Sequence, residues 1–227
     1  MQKVDFDEYA ETYRQSLNAC FAPFGARDTF FDEYKVKCIK EWVIFNDRAY
    51  DILDYGCGVG KIAGLLAKEF SKSTVYGWDI SKESLRVARD EYRELANIHF
   101  VDELPQEQKY NFLVVTMVFH HIHPAERIEA LEKVKNLLKP GGKIIVFEHN
   151  PLNPFTQYIV KTCASDTDAR LILRPRFIKL AKSCGFDIAF KRHILFFPWP
   201  SKLLWHLERL LRFIPLGAQY VVVLTQK

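Results

Sequence analysis

No stretch of the 227-residue chain is long and apolar enough to cross a bilayer. The longest segments free of charged residues, Tyr110 to Ala125 and Phe213 to Gln226, both carry polar residues or Pro, whereas a spanning helix needs about 20 mainly apolar residues. Paired cysteines are missing too. Cys20, Cys38, Cys57, Cys163 and Cys184 are widely spaced, with no Cys-x-x-Cys, so the expectation is reduced, mostly buried thiols rather than a disulfide framework or a zinc knuckle. Charge of one sign is scarce: the net charge is +4 and the pI about 8.7. A dedicated nucleic-acid binder usually shows a basic stripe and a pI above about 9, so no nucleic-acid partner is expected and small-molecule chemistry stays open. The N-terminus reaches Asp5 and Asp7 without an apolar run, unlike a signal peptide, and cytoplasmic residence is the resulting expectation. Neither repeats nor low-complexity tracts occur. With 48% hydrophobic and 26% charged residues, the composition is that of a folded domain rather than a disordered chain or a coiled coil.

From Asp51 onward, short β-rich runs alternate with segments of helical period, the pattern of βαβ units and a parallel sheet. The spacing predicts strands over Asp51 to Tyr55, Thr74 to Trp78, Ile98 to Val101, Phe112 to Met117 and Lys143 to Glu148, then Asp187 to His193 and Gln219 to Gln226. Ser81 is a plausible N-cap. Ile128, Leu131, Val134 and Leu138 form one predicted helical stripe, started by Pro124 and stopped before Pro140-Gly141-Gly142. At the N-terminus, Phe6, Tyr9, Ala10, Tyr13 and Leu17 fit one helical face, and a further helix is expected from Phe31 to Phe45. Residues 149 to 174 read as a functional insertion. The expectation is a single α/β domain: an N-terminal helical cap over 1–48, a cofactor-binding core over 49–148, and an acceptor-side insertion with closing strands over 149–227.

The turn Asp54-Tyr55-Gly56-Cys57-Gly58-Val59-Gly60 stands between a strand and a helix. There, glycines permit a tight bend and close backbone approach, and the helix start offers unpaired N–H donors. A dinucleotide fingerprint would read G-x-G-x-x-G, but the spacing is G-x-G-x-G, with Lys61 in the third glycine's place. Asp79 lies 19 residues past Gly60, near the spacing at which an acid grips a ribose hydroxyl pair.

These residues, with Asp102 before Leu104-Pro105, Val118-Phe119-His120-His121-Ile122 and Leu138-Lys139-Pro140-Gly141-Gly142, resemble the class I S-adenosylmethionine-dependent methyltransferases in order and spacing. The likeness covers about residues 50–148, and the closing strand pair extends it to the chain end. It implies a Rossmann-like, seven-stranded, mostly parallel sheet with helices on both faces and the last strand antiparallel. It also implies S-adenosylmethionine as cofactor and S-adenosylhomocysteine as product. Asp54, Gly56 and Gly58 would lie along the methionine moiety, Asp79 on the ribose and Ile80 against the adenine. Asp102 would meet the adenine amino group with the backbone near Glu103 beside it, Thr116 would offer main-chain contacts to the methionyl amino group, and Tyr13 would close over the cofactor. Asn111 departs from the family's usual Asp, at a position read as structural.

Methyl transfer from a sulfonium is an in-line displacement, so the protein mainly positions the acceptor and takes its proton. His120, His121 and His123 follow the fourth strand and His149 the fifth, at the sheet edge where open α/β folds bind ligands. His121 and His149 are the preferred catalytic pair; the alternative is that these imidazoles order loops or line the cofactor pocket. Three imidazoles with Glu148 would suit zinc, but adjacent His120 and His121 are not expected to face one point, so no metal is expected. The segment Phe196 to Trp199, the leucine-rich helix after it and residues 149–174 are candidates for the acceptor pocket. The reading is a methyltransferase acting on oxygen or nitrogen of a small-molecule acceptor, as a monomer or homodimer. Two others remain: a nicotinamide-dependent oxidoreductase, disfavoured by Lys61, and a non-catalytic S-adenosylmethionine-binding protein.

Overall fold

In the computed structural model, residues 4–21, 28–43, 48–104, 107–199 and 201–227 are described. Strands β1 (Asp51–Tyr55), β2 (Thr74–Trp78), β3 (Ile98–Val101), β4 (Tyr110–Thr116), β5 (Leu138–His149), β6 (Phe186–Ile194) and β7 (Gln219–Gln226) form one sheet in the order β3-β2-β1-β4-β5-β7-β6. β1 to β5 are parallel, and β7 runs antiparallel to both β5 and β6. The expected seven-stranded, mostly parallel α/β sheet is therefore present, with the antiparallel strand last.

Between these strands lie helices α1 (Phe6–Tyr9), α2 (Tyr13–Phe21), α3 (Asp28–Trp42), α4 (Lys61–Glu69), α5 (Lys82–Glu91), α6 (Arg127–Asn136), α7 (Pro154–Thr162), α8 (Arg174–Ser183) and α9 (Lys202–Leu210). The central strands are apolar on both faces, and side chains alternate between two cores, as a strand's period of two requires. Ile52, Val114, Ile145, Phe147 and Val223 pack with α3 and α4. Leu53, Leu113, Ile144, Val146 and Leu224 pack with α6 and α8 on the other face. Asn111 has the structural part expected of it: its Oδ1 accepts the Asp51 amide at 2.9 Å, tying β4 to the start of β1. Ser81 caps α5 by accepting from Ser84 N.

Several expectations are corrected. The N-terminal face is split, with a turn over 10–12 between α1 and α2; Tyr13 begins α2, and its side chain lies outside the described residues, as does the Phe45 end of the next helix. In α6, Leu131 and Val134 are buried but Ile128 is 51% exposed, and Leu138 already belongs to β5. The helix turns Ala130 and the stem of Arg127 inward instead. Cys20 and Cys163 form a disulfide with Cα atoms 5.9 Å apart, against the expectation of five thiols; Cys38, Cys57 and Cys184 are free and buried. The bridge joins α2 to the end of α7, partners 143 residues apart, so no local spacing announced it. Among the described residues, no helix is long and apolar enough to cross a membrane.

Phe147 has no exposure in the α3–α4 core, so Phe147→Ala is expected to lower unfolding free energy by about 3–5 kcal/mol in urea denaturation. Ile128→Ala should change it by no more than about 0.5 kcal/mol. A loss at Ile128 matching that at Phe147 would contradict the observed facing of α6.

Candidate active site

The carboxyl ends of β1, β2, β4 and β5 open into a cavity of about 330 Å³, within the usual range for small-molecule sites. On one side lies the glycine turn, with Gly56 N and Cys57 N donating to Trp78 O at 2.7 and 3.0 Å. Gly60 takes φ +77°, and a Cβ there would lie 2.7 Å from Phe100 Cζ; the backbone needs glycine for both conformation and space. At Gly58 a Cβ would meet nothing within 4 Å, so the turn leaves room for a ligand against its main chain. Asp79 holds this turn: its carboxylate accepts from Gly58 N at 2.7 Å and from Ser81 N at 2.9 Å. Burial raises the Asp79 pKa against those hydrogen bonds.

Asp54, at the end of β1, is 1% exposed, and neither carboxylate oxygen has a hydrogen-bond partner among the described residues. Burial pushes its pKa up to about 8. Ile80, 68% exposed, lines the mouth of the same cavity. Thr116 lines it from β4, its Oγ1 buried and unpartnered. Asp102 and Glu103 are exposed and outside the lining; Asp102 pairs with Arg89 at 2.8 Å.

The other side is built from imidazoles and carboxylates. After β4 the chain turns through Met117, at φ +58°, a left-handed conformation uncommon outside glycine. Glu148, fully buried on β5, accepts from Phe119 N at 2.7 Å and meets His120 Nδ1 at 2.7 Å. His121 Nδ1 lies 2.8 Å from Asp168 Oδ1. The two Nε2 atoms lie 3.8 Å (His120) and 3.6 Å (His121) from Asp166 Oδ1. This corrects the expectation that adjacent histidines face apart. They sit in a turn rather than a strand, so side chains need not alternate, and each ring is aimed by its own carboxylate.

Burial acts to lower the pKa of His120, but the Glu148 charge and the neighbouring carboxylates prevail and raise it to about 9. Burial and the His120 charge lower that of His121, and burial first, then His120, takes His149 down to about 4. His149 also lines the cavity, its ring centroid 5.1 Å from His120. His123 stands apart, exposed, with Nδ1 3.3 Å from Ala125 N.

The sequence reading missed Asp166 and Asp168. Both lie in the 149–174 segment, where two acids one residue apart in an irregular connection were the available signal. That segment lines the cavity through Ile159, Cys163, Ser165 and Asp166. The leucine-rich helix does not: α9 packs Trp205 against Tyr34 and Trp42 of α3, while Leu203 and Leu210 are exposed. Its buried Glu208 accepts from Phe196 N and Phe197 N at 2.8 and 3.2 Å, which holds that aromatic segment beside α9. The N-terminal cap closes the imidazole side. Phe6 makes an edge contact with His121 at 5.1 Å, and Val4 N donates to Asp168 Oδ2 at 3.1 Å. Asp7 Oδ1 accepts from Ser81 Oγ at 2.6 Å, docking α1 on the start of α5.

The family described as a methyltransferase domain matches residues 52–142. An uncharacterized methyltransferase of Alkaliphilus oremlandii is 26% identical over 144 residues, covering 62% of this chain and 64% of that protein. A malonyl-[acyl-carrier protein] O-methyltransferase of Halalkalibacterium halodurans is 27% identical over 113 residues, 46% of this chain and 41% of that protein. The chain thus spans less than two thirds of the length of these curated relatives. Magnesium protoporphyrin IX methyltransferase of Synechocystis PCC 6803, solved with bound S-adenosylhomocysteine, shares the fold, with a TM-score of 0.68 over 98% of this chain and 100% of that one at 16% identity. The chain thus carries a methyltransferase domain over 52–142, and its sheet order and its glycine turn at the carboxyl edge resemble those of the class I S-adenosylmethionine-dependent methyltransferases.

Proposed function

We propose that the cavity binds S-adenosylmethionine along the glycine turn and that the chain transfers its methyl group to an oxygen or nitrogen of a small-molecule acceptor held on the imidazole side. The observation that carries this reading is the pairing, within one cavity, of an unpartnered buried carboxylate and an imidazole wall. Burial keeps Asp54 mainly neutral at neutral pH in the ligand-free protein because a buried anion without a partner is costly, and a ligand bearing an ammonium and a sulfonium would favour its ionised form. The space over Gly58 suits a ligand pressed to the main chain, and Asp79, at the end of β2, suits a ribose hydroxyl pair. Ile80 offers an apolar surface for the adenine. Asp102 and Glu103 lie further out, and a role for them at the adenine amino group requires the ligand to extend past the cavity mouth. The likeness to an O-methyltransferase favours oxygen as the accepting atom.

When bound, S-adenosylmethionine supplies a methyl group already activated on sulfur. The chain's part is then to orient the acceptor, exclude water and take a proton. Phe6 and Ala10 cover the cavity from the N-terminal side. His121, aimed by Asp168, and His149 both line the acceptor half, within reach of the volume the acceptor would fill.

Calorimetry of the whole chain with S-adenosylmethionine and with NAD tests the reading. Saturable binding of the first and none of the second is expected, and the reverse would overturn it. Asp79→Ala removes charge-assisted hydrogen bonds of about 1.5–3 kcal/mol each, so the affinity for S-adenosylmethionine should fall by about 10- to 150-fold. Unchanged affinity would remove Asp79 from the ribose.

Asp54→Asn should weaken S-adenosylmethionine yet stabilise the ligand-free protein. The folded-state pKa of Asp54, about 8, lies above the ordinary carboxylate value. The neutral carboxyl is therefore fully tolerated below about pH 4, and its contribution is lost progressively as pH rises toward 8. The gain in Tm over wild type should be larger at pH 8 than at pH 5; equal gains would contradict it. His149→Ala and His121→Ala should each lower turnover by about 10²–10⁴-fold with little change in cofactor affinity, and full turnover in both would remove histidine from proton transfer.

A further inference from the structure

His120 Nε2 is buried without a hydrogen-bond partner, and its approach to Asp166 Oδ1 at 3.8 Å, like that of His121 Nε2 at 3.6 Å, is too long for a hydrogen bond. Both rings are anchored on the far side, His120 Nδ1 by Glu148 and His121 Nδ1 by Asp168. A carboxylate on one ring nitrogen fixes the N–H there and leaves the other nitrogen's lone pair facing outward, the arrangement found behind metal-bound histidines.

We propose that His120 Nε2, His121 Nε2 and Asp166 Oδ1 hold one divalent transition-metal ion. Its remaining positions open to the cavity, where an oxygen of the acceptor completes the coordination.

One ligand atom from each of the three residues lies within 4.8 Å of the others. Ligands at the usual 2.0–2.1 Å from a tetrahedral ion stand about 3.3 Å apart, so the two nitrogen-to-oxygen distances need close by only a few tenths of an ångström. Charge agrees with geometry. Glu148, Asp166 and Asp168 surround the rings, while nearby cations are engaged elsewhere: Lys35 pairs with Asp32, and Arg127 donates to the carbonyls of Ile122 and Arg170. Two imidazoles and one carboxylate suit zinc, manganese, iron(II) or cobalt; magnesium and calcium prefer oxygen throughout. All three ligand residues line the cavity, so a bound ion would face the acceptor. That last role rests on the methyl-transfer reading, in which His121, as a ligand through Nε2 with Nδ1 held by Asp168, leaves proton transfer to His149; binding of the ion does not.

The test uses the whole chain, freed of metal by chelation and titrated with Zn²⁺ and Co²⁺ by calorimetry without S-adenosylmethionine, alongside visible absorption of the Co²⁺ form. One ion per chain is expected, with Co²⁺ bands of nitrogen ligation. Asp166→Asn and His121→Asn should weaken binding at least about tenfold, and Asp168→Asn, which acts through His121, by about 10- to 100-fold. His123→Ala should leave binding unchanged. Circular dichroism identifies any variant that fails to fold, and the wild-type Co²⁺ spectrum stands whatever the variants do.

The site is overturned if folded wild-type protein binds no ion saturably, which would leave His120 as an imidazolium between Glu148 and Asp166. It is overturned equally by folded ligand variants that bind as wild type, or by loss of binding in His123→Ala. S-Adenosylmethionine binding measured separately in excess chelator distinguishes the two readings: its absence would sink the methyl-donor assignment and leave the ion site standing.

Discussion

Glu148 is a carboxylate with no exposure at the end of a central strand, and the imidazole half of the cavity is organised by the ways its charge is met. Burying a charge is tolerable only with partners of good geometry. Here the partners are the Phe119 amide and the His120 ring, both from the turn after β4. Satisfying Glu148 therefore fixes where that turn runs and which way His120 points. The left-handed Met117 is the backbone condition for bringing the turn back over the strand ends, a strain of the sort that persists where surrounding contacts determine it.

From that fixed turn the second tier follows. His120 O accepts from Arg170 N at 2.7 Å, so the turn also anchors the chain just beyond Asp166 and Asp168. Those two acids come from the segment that connects α7 to α8, and the Cys20–Cys163 bridge ties the same segment to α2. Asp168 then serves two masters, the His121 ring and the Val4 amide. The N-terminal cap, the insertion and the imidazole wall are thus one mechanically connected unit, which explains how a short helix such as α1 keeps a defined place over the cavity although helices of four residues have little stability of their own.

Much of this was legible in the sequence where local chemistry decides structure. β1, β2, β3 and β7 have the expected limits because apolar runs bounded by turn residues are short-range signals. The glycine turn and Asp79 are brought together as expected because a βαβ unit places its first turn beside its second strand's end. What could not be read was set by long-range pairing. The facing of His120 and His121 depends on carboxylates 28 and 47 positions away, and the disulfide on helices far apart in the chain. The exposed side of α9 shows a further limit: a broad apolar stripe predicts burial, yet Leu203, Leu207 and Leu210 stay exposed while Trp205 and Glu208 face α3 and the Phe196–Phe197 amides.

The unsatisfied groups show how the two halves differ in kind from the rest of the fold. Asp54, Thr116, His120 and Gln219 all carry buried polar atoms without partners, and all four line the cavity. Elsewhere, buried polar side chains such as Asn150, Asn153 and Thr156 are bonded to main-chain carbonyls that hold the β5–α7 connection. Tyr110 Oη and His193 Nδ1 are also unpartnered away from this cavity, but most of the open polar atoms among the described residues line it, where a ligand can relieve them. The glycine-turn side leaves the Asp54 carboxyl open, suited to a cation. The imidazole side leaves the His120 Nε2 open amid carboxylates, suited to a positive centre as well. Both halves therefore ask for positive charge from outside the chain, and a cofactor carrying a sulfonium, placed as proposed along the glycine turn, would answer only the half that contains Asp54.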